Sequence, residues 1–180
     1  MFEKFRNSKN SYSIAYKMRI VTNSDLDALT CCVLLKQVEK IDDMVFVDPA
    51  DIQHGRFDVR PGDIMANIPY DPRCALWFDH HASNRPAAPR PGRWEMTPSA
   101  ARAVANHYGA RPEFSRFEEL LRGTDKVDSA DFTPDDIREP RGWVLFSNVI
   151  DGVVTGVTGE DNIRFVSLME RLSIDEVLRD

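Results

Sequence analysis

Short apolar runs separated by polar turns dominate the first eighty residues of the chain. Met18, Ile20 and Val21, within Tyr16 to Thr22, read as a buried strand that runs straight into the polar turn Asn23-Ser24-Asp25-Leu26-Asp27. Ala28 to Lys40 carries Leu29, Cys32, Val33, Leu34, Leu35 and Val38 at mixed spacings of one to three, compatible with a helix. Met44 to Val47, Asp63 to Asn67 and Ala75 to Asp79 predict three further strands. These runs are continuous rather than alternating, as in interior strands of a parallel sheet covered on both faces. Strand-helix-strand order with such runs points to an open α/β domain. Polar residues collect at the predicted strand ends: Asn23 with Asp25 and Asp27, then Asp48, then Asn67, then Asp79 with His80 and His81. In open α/β sheets that edge is where ligands bind.

Beyond the sheet the pattern changes. Ala82 to Gly92 holds Pro86, Pro89 and Pro91 and predicts an irregular loop. Thr97-Pro98-Ser99 is a helix start, with a helix over Ser99 to Tyr108 ending at Gly109. A second helix is predicted over Pro112 to Leu121, stopping near Gly123. An acid-rich stretch follows, with Asp125, Asp128, Asp131, Asp135 and Asp136. Trp143 to Ile150 predicts a buried helix, Gly152, Gly156 and Gly159 a loose turn, and Asp161 to Leu172 and Ile174 to Leu178 a helical tail. The expected division is an N-terminal extension over 1–15, an α/β domain over 16–139, and a helical completion of the same domain over 140–180.

Composition narrows the function class. With 42% hydrophobic and 29% charged residues the chain is globular rather than disordered. A net charge of -6 argues against broad adhesion to long nucleic acid or acidic lipid. The 3 cysteines form no CxxC pair, so the expected setting is a reducing one, the cytoplasm. No apolar run is long enough to cross a membrane, and Met1 to Asn10 lacks the apolar core of a secretion signal. One segment reverses the overall charge: Ala82 to Arg111 carries five arginines (Arg85, Arg90, Arg93, Arg102 and Arg111) against the single acid Glu95. They read as solvent-exposed side chains or as the mouth of a phosphate site.

Two motifs carry candidate chemistry. Asp25 and Asp27, two apart on a turn after a buried strand, can converge on a hard divalent cation or can simply cap a helix. Asp79-His80-His81 places imidazole beside carboxylate at the sheet's mouth, a donor set that suits Mn²⁺ or another borderline ion. Asp125 and Asp128 are three apart near a helix end, where a charged surface explains them equally well. A phosphate-binding glycine loop, a serine elbow and HExxH are absent.

Taken together, Arg19 to Lys36 with Asn-Ser-Asp-Leu-Asp at its centre, followed by Phe78-Asp79-His80-His81, resembles the DHH phosphoesterase family over roughly Tyr16 to Asp131. The resemblance implies a Rossmann-like, doubly wound, mostly parallel sheet with helices on both faces and a helical C-terminal region. It implies Mn²⁺ or Mg²⁺ and hydrolysis of a phosphoester or phosphoanhydride in a small phosphorylated molecule or short oligonucleotide. The family's first motif falls on Asn23, Asp25 and Asp27, its second on Asn67, its third on Asp79, His80 and His81. Its fourth falls best on Asp125, with Asp128 the fallback. The implied metal set is Asp25, Asp27, His80 and Asp125, with Asn23 and Asn67 standing where the family has histidine and a bridging aspartate. Neutral amides offset less cation charge than carboxylates, so one ion is expected and the usual pair is the alternative. Asp79 would orient His80, while His81, Arg85 and Asn67 would hold substrate phosphate. The family's Gly-rich second domain finds no match in Pro140 to Asp180. The rival expectation is a catalytically impaired domain that binds a nucleotide or phosphate without hydrolysis. A homodimer is expected only on general grounds.

Overall fold

The computed structural model describes residues 17–150 and 156–180, together with the backbone of two strands near the N-terminus. These two, β1 (Lys4–Arg6) and β2 (Tyr12–Ile14), pair antiparallel within the segment expected to be an extension. The main sheet contains β3 (Arg19–Thr22), β4 (Asp43–Phe46), β5 (Ile64–Ala66), β6 (Leu76–Asp79) and β7 (Gly92–Trp94). All are parallel, in the order β4-β3-β5-β6-β7. From β3 the chain crosses through α1 (Leu26–Val38) to β4 on one side, then returns through α2 (Pro49–Gln53) past β3 to β5 on the other. The winding direction therefore reverses between β3 and β5. A crevice opens at the carboxyl ends of such a pair, and Asn23, Asp25 and Asn67 lie there. The fold is α/β and Rossmann-like, as the sequence implied.

Successive strand residues point to opposite faces. Ile20, Ile64 and Phe78 enter a large cluster with α1, α3 (Ala100–Tyr108), α4 (Glu118–Asp128), α6 (Gly142–Ile150), α7 (Gly159–Met169) and α8 (Ile174–Val177). Val21, Met65 and Trp77 enter a smaller cluster with Ile52 and Val59. Both faces carry helix, but unequally, since only the short α2 covers the second. The helices over 140–180 pack into the larger cluster rather than forming a core of their own.

Four local outcomes differ from the sequence expectation. Asp25 caps α1, so the helix begins at Leu26 rather than Ala28. Two short helices went unforeseen, α2 and α5 (Pro134–Arg138), each only five residues long and capped by Asp48 and Thr133 respectively. β7 lies at the end of the expected proline-rich loop. Its Gly92 has φ +98°, and a Cβ there would stand 2.1 Å from the Trp77 carbonyl oxygen, so the strand needs glycine and offers no apolar run to read. Most consequentially, α4 does not stop near Gly123. Residues 112–117 form a 3₁₀ turn, and α4 then runs through Gly123, where a Cβ would lie 2.4 Å from the Trp143 ring. That glycine permits close packing of α4 on α6 and ends nothing. Thr124, next to it, meets Thr30 of α1 at 2.7 Å between hydroxyls, both buried. Of the loose turn, Gly152 lies outside the described residues; Gly156 has φ +74° and Gly159 opens α7.

The opposite edge of the sheet is tied by one buried ion pair. Arg19 donates through Nε to Asp63 Oδ1 at 2.7 Å and through Nη2 to Oδ2 at 2.9 Å, and Asp63 is fully buried. The Arg60 N–H adds a third donor to the same carboxylate at 2.8 Å. Removing one partner of such a pair strands a buried charge. Asp63→Ala is therefore expected to cost about 3–5 kcal/mol in urea unfolding, and the double variant Arg19→Met, Asp63→Leu much less.

Candidate metal centre

Three chain segments meet at the switch point. Asp25 follows β3 and caps α1, its Oδ1 accepting the Ala28 N–H at 2.7 Å. Asn23 donates its amide N–H to Asp25 Oδ2 at 2.6 Å. From the end of β5, Asn67 donates to both oxygens of Asp25, at 3.0 and 3.1 Å, and to Asn23 Oδ1 at 3.2 Å. Asn67 holds φ +55°, a left-handed conformation that asparagine tolerates better than most residues, and is almost fully buried. Burial raises the Asp25 pKa, and the N–H donors from Ala28, Asn23 and Asn67 work against that rise. Amide nitrogens, which do not ligate metals, thus face the carboxylate from the two positions where the resemblance placed ligands. Asn67 Oδ1 is buried without a hydrogen-bond partner, so this position offers a second ion one neutral oxygen in place of a bridging carboxylate.

Asp27 lies one turn further along. It is buried, and both its oxygens accept backbone N–H groups at the start of α3: Oδ2 from Ala100 at 2.7 Å and Oδ1 from Ala101 at 2.8 Å. Burial, then the charges of Asp128 and Asp25, push its pKa well up against those two bonds. His80 Nε2 stands 3.8 Å from Asp27 Oδ2 and 3.0 Å from Asp128 Oδ2. It is buried and lacks the alignment of a hydrogen bond to either. On the far side of the ring, Nδ1 lies 3.0 Å from the Thr97 carbonyl oxygen. A carbonyl can only accept, so Nδ1 carries a proton, and Nε2 is the nitrogen turned toward the carboxylates, free to hold a second proton or, once deprotonated, to offer its lone pair to a cation. Burial opposes the imidazolium, but the adjoining Asp128 carboxylate and the Asp27 charge outweigh it and lift His80 to about 9. Without a metal, a proton takes the cation's place between them. Among the described residues no lysine or arginine pairs with Asp25, Asp27 or Asp128. Ligand atoms of Asp27, His80 and Asp128 all lie within 4.8 Å of one another, a donor set that fits one divalent ion.

Two expected roles change partners. Asp79 does not orient the His80 ring. It is buried at the end of β6, where Oδ1 accepts the His80 N–H at 2.8 Å and the His81 Nδ1–H at 2.8 Å, while Oδ2 accepts the Asn84 amide at 2.6 Å. Its oxygens are committed, and the ring it fixes is His81, whose side chain is 46% exposed; Asp79 and its hydrogen bond raise the His81 pKa. Asp125 is likewise turned away. Its Oδ1 accepts the Ser99 hydroxyl at 2.6 Å and its Oδ2 accepts Arg102 Nε at 2.9 Å. The fallback, Asp128, is the carboxylate beside His80. Both aspartates sit on α4 three residues apart, and only the helix's true extent decides which one turns inward. Arg93 pairs with Glu95, whereas Arg85 and Arg90 lie over the Trp94 and Tyr70 rings at 5.6 and 4.8 Å.

Sequence reasoning missed Thr97, Asn84 and Asn162. Asn162 of α7 is buried and donates to the Ser24 hydroxyl at 2.9 Å, bracing the Asn23–Asp25 turn from 138 residues away. No local signal could have found it.

No protein-family model and no curated protein matches the chain. Among solved structures it matches a pGpG-specific phosphodiesterase, PggH from Vibrio cholerae, with a TM-score of 0.78 and 37% sequence identity. That match covers 91% of this chain and 56% of the other, so the chain spans a little over half that enzyme's length. This match, together with Asp25, Asp27 and the Asp79-His80-His81 triplet, supports the fold and motif set of the N-terminal domain of a DHH phosphoesterase.

The two α4 aspartates separate cleanly in a binding experiment. Asp128→Asn is expected to weaken Mn²⁺ binding by at least roughly tenfold in calorimetry. Asp125→Asn should leave that affinity within about twofold, its cost falling on the partly exposed Arg102 pair instead.

Proposed function

We propose that this domain is a metal-dependent phosphodiesterase acting on a short oligonucleotide, and that it works with one ion held by Asp27, His80 and Asp128. The observation that carries the reading is the cluster of Asp27, His80 and Asp128 at the carboxyl edge of the sheet, whose ligand atoms lie within 4.8 Å of one another with no lysine or arginine among the described residues to offset the two carboxylates. A purely structural domain gains nothing from packing like charges there. The likeness to a pGpG-specific phosphodiesterase supports the substrate class. It also weighs against the alternative of a domain that binds without hydrolysis.

Imidazole among the donors favours Mn²⁺ over Mg²⁺. Such an ion would acidify water and screen phosphoryl charge. The remaining work falls to this chain's side chains. Thr97 holds the His80 ring so that Nε2 faces the carboxylates. Asp79 holds His81 through Nδ1, which leaves His81 Nε2 on the exposed side to donate to a phosphoryl oxygen or a leaving alkoxide. Asn84 fixes Asp79 in turn. Arg85 is exposed, four residues beyond His81, and supplies charge for a second phosphate. Asn67 acts on Asp25 and orders the floor of the crevice rather than gripping substrate. We place the reaction in the cytoplasm, because the three described thiols, Cys31, Cys32 and Cys74, are all free.

Incubated with Mn²⁺, the protein is expected to cleave a 5′-phosphorylated dinucleotide to mononucleotides, and a chelator should stop it. His81→Ala should lower kcat by roughly 10²–10⁴-fold, as loss of a proton donor does. Calorimetric titration should give one Mn²⁺ per chain. Two ions per chain would mean that Asn23 and Asn67 rotate their amide oxygens inward and serve a second site.

A further inference from the structure

Beside the metal centre lies a recess of about 410 Å³ with a mixed lining. Asp25, Asp27 and Asp128 contribute carboxylates, and Phe132, Ser147 and Asn148 contribute an aromatic ring, a hydroxyl and an amide. Among the described residues no lysine or arginine lines it. A chain of phosphates would need cationic walls throughout, so the uncharged part of the lining suits something neutral. An aromatic face with an amide and a hydroxyl nearby suits a flat group with hydrogen-bonding edges, and the volume lies in the range of small-ligand pockets.

Phe132 reaches this position through an unusual turn. Ala130, just past the end of α4, has φ +54°, a conformation that glycine normally supplies at a helix terminus. The turn is closed by Ala130 N–H to the Val127 carbonyl at 3.1 Å, Asp131 N–H to Lys126 at 3.0 Å and Phe132 N–H to Ala130 at 2.8 Å. The chain doubles back, and Phe132 comes to line the same recess as Asp128. Strain of this kind at the rim of a ligand site commonly serves the site.

We propose that this recess is a nucleoside subsite in which the base on one side of the scissile phosphate stacks on Phe132, with Asn148 facing its edge. The proposal rests on the phosphodiesterase reading and adds which residues choose a nucleotide over any other phosphodiester. Phe132 is then a substrate-binding residue, separate from the groups that hold the ion.

The test compares pGpG with its two singly abasic analogues, which keep the sugar-phosphate backbone and lose one base each. Binding to the metal-free chain is measured by calorimetry, and KM and kcat with Mn²⁺ by product release. The wild-type chain should bind pGpG roughly tenfold more tightly than one of the abasic forms. Phe132→Leu, which keeps the apolar volume and loses the ring face, should erase that difference, raising KM for pGpG with little change in kcat. Phe132→Tyr should restore it. Equal weakening of intact and abasic ligands by Phe132→Leu, or a wild type blind to both missing bases, would overturn the proposal. Base-dependent binding without hydrolysis would sink the enzymatic reading and leave the subsite standing.

Discussion

A buried carboxylate does two jobs at the centre of this fold. Asp27 sits in the first turn of α1 and accepts the first two backbone N–H groups of α3 with its two oxygens. That fastens the helix following β7 onto the helix following β3 on the same face of the sheet. A charge-assisted bond to a helix N-terminus is among the stronger polar contacts available. The same oxygens border His80 and Asp128. Position and chemistry are inseparable here: α3 docks by engaging Asp27 of α1, and Ser99 and Thr97 just before α3 bring the Asp125 partner and the His80 support. The metal centre is the joint of the domain rather than an ornament on its rim.

The neighbouring position shows what happens when carboxylate and imidazole are exchanged for amides. Asp25 remains buried with a negative charge that something must offset. Asn23 and Asn67 supply N–H donors from two strands, so hydrogen bonds replace the Coulomb attraction of a second cation. An amide brings no charge of its own, so it adds nothing to hold a cation against water, yet it can satisfy a carboxylate well. The site keeps its geometry and changes its electrostatics. This electrostatic change underlies the proposal of one ion above a preorganised amide floor, with His81 and its Asp79 support as the proposed proton-carrying group.

Four of the five sheet strands, α1, the helices around 143–150 and 161–172, and the motif residues of the crevice were legible in the sequence because each rests on local pattern. Apolar runs mark buried strands wherever they occur, and a polar cap marks a helix start. What escaped was shaped by contact with distant residues. Gly123 reads as a stop in isolation, yet the Trp143 ring pressing on α4 makes it the only residue that fits. β7 is three residues with a glycine at its head, stabilised by its pairing with β6. Asn162 belongs to the site through a hydrogen bond spanning most of the chain.

From the sequence alone came the α/β class, the crevice at the carboxyl edge, and the set of acids and histidines that gather there. Those follow from periodicity and from residue types that can ligate or carry protons. Only the folded chain decided which of them face one another. Asp128 rather than Asp125 meets His80, because Ser99 and Arg102 of α3 take up Asp125 while Asp128, almost a full turn further along α4, lies beside the ring. Asp79 grips His81 rather than His80, because His80 turns its ring to the Thr97 carbonyl. Sequence spacing fixes distance along the backbone, and direction in space is set by the packing of the elements that carry each residue.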